Sequence, residues 1–147
     1  MMIQLGAAFL GSIGFAIFFK MKGKQIFYAG LGGLITWFIY LMAFDYCQSD
    51  FISNLIASIF IGIFAEIMAR VNRAPSTIFL TAAAVPLIPG GKLYYTMYGL
   101  VSEDNQLFVE SGTDAVIIAL AISLGFVVVA ILKRYLDKIV RRLESKR

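Results

Sequence analysis

Histidine is absent from this 147-residue chain, and cysteine occurs once, as Cys47. The first absence removes the side chain that most often serves as general base or metal ligand. The second excludes an internal disulfide and a thiolate zinc site. Charge is scarce too: 15% of the residues are Asp, Glu, Lys or Arg, against roughly 25% in an ordinary soluble domain. In their place 60% of the chain is hydrophobic, with a mean hydropathy of +0.83. A soluble domain of about 150 residues buries only about 70% of the surface its unfolded chain exposes. So much apolar surface therefore excludes a soluble domain, and it excludes a disordered chain as well. The solvent for most of this sequence is lipid.

Soluble-enzyme motifs fail. No Gly-x-Ser-x-Gly occurs, and Gly90-Gly91-Lys92 is followed by Leu93 and preceded at position 86 by proline, where a phosphate loop needs glycine. No nucleophile–base pair or metal-ligand set is visible, so no catalytic residue, metal or cofactor is assigned. The net charge of +4 reads as a marker of membrane orientation, not of nucleic-acid binding.

A spanning helix needs about 20 apolar residues, and five apolar runs are present. They are Ile3–Phe19, Ile26–Phe44, Phe51–Ala69, Ser76–Val101 and Ala115–Leu132. The first could pass for a signal peptide, but Lys20, Lys22 and Lys24 follow it instead of preceding it, so it is expected to be a retained helix. The fourth, at about 39 Å as a straight helix, is longer than a hydrocarbon core, and Pro86-Leu87-Ile88-Pro89-Gly90-Gly91 interrupts it. Proline removes an amide donor and clashes with the preceding turn. The expectation is two half-helices, Ser76–Val85 and Leu93–Val101, joined by irregular backbone at membrane depth. Ser102–Asp114 reads as a polar connection, with Asp114 as the N-cap of the last span. The basic segment 133–147 follows the membrane domain 1–132 as an amphipathic extension, with Leu136, Ile139, Val140 and Leu143 on helical spacing.

Lys and Arg concentrate in cytoplasmic loops. With the N-terminus outside and five crossings, the Lys20–Lys24 turn, the Arg70–Arg73 turn and the tail all fall in the cytoplasm. These hold every base except Lys92, while the two outer connections hold Asp45, Asp50, Glu103, Asp104, Glu110 and Asp114 and no base. The expected class is therefore an all-α, multi-pass protein of the inner or plasma membrane, with five transmembrane helices and the fourth broken.

Four features rise above a passive anchor. The Pro86–Gly91 break reads either as a kink or as a discontinuous helix lining a substrate path. Freed backbone groups and the second half-helix's positive end would suit a carboxylate, which makes Pro86, Pro89, Gly90 and Gly91 candidate substrate-binding residues. Lys92, near mid-membrane by sequence, would either meet that carboxylate, or snorkel, or pair with an acid on another subunit. Glu66 would either pair with Arg70 one turn on or carry a coupling proton. Tyr94, Tyr95 and Tyr98 belong either to the outer aromatic belt or, as phenol donors, to the substrate; Tyr95 is the candidate retained. Asn54, Ser58, Thr77 and Thr81 are expected to hydrogen-bond between helices.

Val85-Pro86-Leu87-Ile88-Pro89-Gly90, followed by Leu93-Tyr94-Tyr95-Thr96-Met97-Tyr98, resembles the signature of the threonine/serine exporter family. The likeness is to the short second component of its two-subunit form. Gly14–Phe19, Lys24–Gly33, Ala65–Arg70 and Ala74-Pro75 fit as well, so the resemblance runs from about Ile3 to Arg134. It implies gradient-driven export of threonine and serine, or of a small dicarboxylate such as succinate. It also implies a second membrane subunit as partner, the two halves forming an inverted repeat with the substrate at their interface. Lys92 departs from the family pattern, which expects a small residue there. The competing readings are a non-transporting scaffold or regulatory subunit of a larger complex, and a self-sufficient homo-oligomeric channel.

The orientation is open to direct measurement. With Cys47 replaced by serine, a cysteine placed in the Lys20–Lys24 turn should react with a membrane-impermeant maleimide only after the membrane is opened. Labelling from the outside of intact cells would reverse the topology.

Overall fold

Each apolar run folds as helix because, in lipid, a chain must satisfy its own backbone polar groups. The computed structural model describes residues 1–144; the side chains of Val140 and Leu143, placed on the tail's apolar stripe, and residues 145–147 lie outside the described residues. Six α-helices are formed among them: α1 (Met2–Phe18), α2 (Lys24–Cys47), α3 (Asp50–Asn72), α4 (Ser76–Ala84), α5 (Gly90–Val101) and α6 (Asn105–Glu144). A 3-10 turn, Val85–Leu87, continues α4. α2, α3 and the apolar part of α6 are each long and apolar enough to cross a bilayer, and α4 with α5 makes a fourth span when the bent pair is counted as one. α1, also apolar, is shorter at 17 residues.

The helix ends are closed tightly. α1 stops where the Lys20 amide donates to the Ile17 carbonyl (2.9 Å) and the Met21 amide to the Ala16 carbonyl (3.0 Å). Lys20 is left-handed at φ 57°, the geometry that satisfies orphan carbonyls at a helix C-terminus.

Two expectations change at the fourth and fifth runs. The irregular backbone is shorter than Pro86–Gly91: Pro86 and Leu87 lie in the 3-10 turn and Gly90 and Gly91 open α5, which leaves Ile88 and Pro89 to make a 57° bend. Proline is tolerated within the first turn of a helix, so Pro86 sits inside the 3-10 turn that Val85 opens instead of ending structure outright. The polar stretch is also mostly helical. α6 begins at Asn105, capped by Asp104, whose Oδ1 accepts the Leu107 amide at 3.1 Å. Asp114 is therefore not an N-cap; it sits more than two turns inside α6. The helix then runs unbroken through the basic segment to Glu144.

The core is built of small residues, as helix packing in lipid favours. Ala16, Ala29, Ala65 and Ala82 surround the fully buried Phe79. Ala57, Ile61 and Ala83 close around Leu87 beneath the bend. α4 and the 3-10 turn sit in the angle formed by α1, α2 and α3, while α5 packs along α6.

α3 and α6 run parallel in a fixed register. Ser58 meets Gly125, Gly62 meets Val129, Glu66 meets Lys133 and Arg70 meets Asp137, every pair 67 residues apart. This register carries the first dozen residues of α6 past the start of α3, by about 18 Å at helical rise. α5 climbs beside that overhang, with Gly99 against the Phe108 backbone and Lys92 against Asp114. Lys92 thus meets α6 just beyond the start of α3, not beside the middle of that helix.

The α3–α6 contact depends on Gly125, where an added Cβ would fall onto the Ser58 hydroxyl and 3.1 Å from the Ile59 amide nitrogen. Gly125→Val should cost about 1–3 kcal/mol, measurable as a lower unfolding temperature in detergent. Gly14→Ala, where a Cβ meets nothing within 4 Å, should be neutral or stabilising.

Candidate functional site

The bend leaves polar backbone at its surface. The Gly90 amide donates back to the Ile88 carbonyl (2.7 Å) and the Leu93 amide to the Pro89 carbonyl (2.9 Å), while the amides of Gly91 and Lys92 have no backbone partner among the described residues. These are the orphan donors of a helix N-terminus, and open space lies beside their residues: a Cβ added to Gly90 or Gly91 meets nothing within 4 Å.

That space is a cavity of about 580 Å³. Every substrate-binding candidate from the sequence, Pro86, Pro89, Gly90, Gly91, Lys92 and Tyr95, lines it. Tyr94 and Tyr98 do not; they stack on each other at 6.4 Å on the exposed face of α5.

The rest of the wall was not assigned to a site from sequence. α2 contributes Trp37 and Tyr40, α3 contributes Asp50 and Asn54, and α6 contributes Glu110, Ser111 and Asp114. Trp37 stacks on Tyr40 at 4.8 Å, and the Tyr40 hydroxyl donates to Asp50 Oδ1 at 2.7 Å. Lys92 Nζ binds Asp114 Oδ2 of this same chain at 2.7 Å. One signal for Asp114 was available in the sequence: a lysine embedded in an apolar run needs a counter-ion. For Trp37, Tyr40 and Asp50 there was none, because only tertiary register brings the facing ends of α2 and α3 to the bend.

The cavity therefore carries three carboxylates and one ammonium, with Asp50 and Glu110 as well as Asp114 close enough to act on the Lys92 charge. The acids do not converge into a metal site; no such cluster occurs among the described residues. The Trp37 indole nitrogen is buried without a hydrogen-bond partner among the described residues.

Glu66 lies elsewhere. It binds Lys133 at 2.7 Å near the far end of α3, and Arg70 pairs with Asp137 at 3.7 Å. Glu66 and Arg70 each reach across to α6 instead of pairing with one another along α3. Glu66, Lys133 and Asp137 line a separate cavity of about 320 Å³. Of the expected interhelical polar residues, Asn54, Ser58 and Thr81 instead bond carbonyls of their own helices, and Thr77 supplies its carbonyl to Thr81.

Breaking the Lys92–Asp114 pair should be non-additive. Lys92→Gln and Asp114→Asn should each lower the unfolding temperature. The double variant should lose less than their sum, with a coupling of roughly 0.5–3 kcal/mol. Strict additivity would mean that the two side chains do not hold each other.

The sequence profile of the family described as Threonine/Serine exporter, ThrE matches residues 4–132. No solved structure matches the chain.

Proposed function

The chain belongs to the ThrE threonine/serine exporter family, and on that premise we propose that the cavity at the α4–α5 bend is the site through which it exports threonine and serine. The protein is a multi-pass membrane transporter of that family, not an enzyme. In this reading it crosses the membrane five times, with α1 as the first span and the α4–α5 pair as the fourth. The N-terminus is outside, and the basic end of α6 is in the cytoplasm. A second exporter subunit with its own spans completes the translocation path, since five helices are few for a transporter.

The observation that carries this reading is the meeting of the bend, Lys92 and Tyr95 in one cavity. A substrate carboxylate placed against the Gly91 and Lys92 amides meets the positive end of α5 and a neighbouring ammonium. Pro86 and Pro89 keep those amides free by preventing a continuous helix. Gly90 and Gly91 keep side chains out of the approach. Ion coupling is assigned to Glu66. At the other end of α3, its protonation would release Lys133 and loosen α6 from α3 on the side opposite the cavity.

Efflux of labelled serine, threonine and succinate from vesicles, with and without the second subunit, tests this directly. Gly90→Val should insert and fold normally, because its new side chain meets open space, yet reduce serine and threonine efflux by about tenfold or more, as expected for loss of a charge-assisted contact. Pro89→Ala should do the same. Wild-type efflux by both variants would remove the bend from the transport path.

A further inference from the structure

Four charged side chains line the cavity, and three of them have their partners or their surroundings settled. Lys92 and Asp114 hold each other. Glu110 is exposed and accepts a bond from Gln106 at 3.0 Å. Asp50 differs from all of these. It is half-buried in the first turn of α3, forms no salt bridge among the described residues, and receives only the Tyr40 hydroxyl, on Oδ1. Oδ2 has no hydrogen-bond partner among the described residues.

Tyr40 is not free to leave. It is packed between Trp37 at 4.8 Å and Phe44 at 6.0 Å, so the bond to Asp50 comes from a fixed donor, and the carboxylate is held in one orientation before any ligand arrives. The start of a helix also favours a negative charge at that position.

We propose that Asp50, oriented by Tyr40, is the specificity-determining residue of this cavity: it seats an ammonium group, so that the site takes zwitterionic amino acids and rejects dianions. The inference rests on the export reading and adds to it the group that distinguishes threonine from a dicarboxylate. Lys92 and the α5 amides serve any carboxylate. Asp50 serves only a cation, and it repels the second carboxylate of a dianion. A site built to bind a polar group discriminates strongly against an analogue that lacks it, because its own group is then left unpaired.

Trp37 is the single tryptophan, so its fluorescence reports binding without a label. The full chain in lipid nanodiscs is titrated with threonine, with 3-hydroxybutyrate (threonine without its amino group) and with succinate, and calorimetry gives a second readout. Wild type should bind threonine best. Asp50→Asn keeps the shape and the acceptor for Tyr40 but removes the charge. It should weaken threonine binding by roughly 10- to 100-fold, the range for a hydrogen bond to a charged group, while 3-hydroxybutyrate and succinate bind as well as or better than in wild type. Tyr40→Phe keeps the charge and should lose a few-fold, for threonine alone. Unchanged threonine binding in Asp50→Asn overturns the assignment, and so does an equal loss for all three ligands, which would make Asp50 merely structural. Either result leaves the export reading standing. Wild type that responds to none of the three ligands overturns that reading instead.

Discussion

Two missing amide donors shape this molecule. Pro86 and Pro89 carry no backbone N–H, and a chain surrounded by hydrocarbon has no water to repair the ladder they interrupt. The break must then be enclosed by protein or face a polar cavity. Here both occur: α1 and α2 pack against the 3-10 turn on one side, and on the other the first residues of α5 line the cavity with Lys92. The 57° bend also turns α5 away from the α3 bundle and onto α6. The site and the departure from a simple bundle thus share one cause.

Small residues make the second constraint workable. A bent helix leaves less area for packing, so the remaining contacts must be close. Ala82, Ala83 and Ala84 let α4 lie directly on α2 and α3. Gly33 admits the Ser12 hydroxyl of α1 into van der Waals contact with α2. In lipid no hydrophobic drive brings helices together, and such approaches supply the dispersion contacts that hold them. They also fix the level of each helix, which is how Asp50 at the start of α3 comes to face the same cavity as Lys92.

Much of this architecture was legible in the sequence. Apolar runs of spanning length became helices, and the two prolines and two glycines marked the bend, because both signals are local. The wall opposite the bend was not. Tyr40 and Asp50 lie in what reads as the end of one span and an acidic turn, and nothing local distinguishes Asp50 from Asp45. Only the meeting of α2, α3 and α5 selects it. Asp114 misled for a related reason. An acid before an apolar run is a good N-cap signal, but Asp104 has the same signal ten residues earlier and takes the role, which frees Asp114 to meet Lys92. Glu66 misled because Arg70 is one turn away along the helix while Lys133 is 67 residues distant, and sequence spacing reports only the first kind of neighbour.

Every salt bridge among the described residues involves α6: Asp114 with Lys92 on α5, Lys133 with Glu66 on α3, and Asp137 with Arg70 on α3. That concentration follows from the character of the helix. The middle of α6 is mostly Val, Ile, Leu and Ala, whose side chains slide past lipid and past one another at little cost, so they specify its axial position poorly. Ion pairs add modest net stability once desolvation is counted, but they do fix register. A shift of α6 by one turn would part all three pairs at once. It would also drive Val129 and Ser58 out of the gaps that Gly62 and Gly125 leave for them. The few charges of this chain therefore act as position markers: they hold one 40-residue helix at the level where Asp114 reaches the bend.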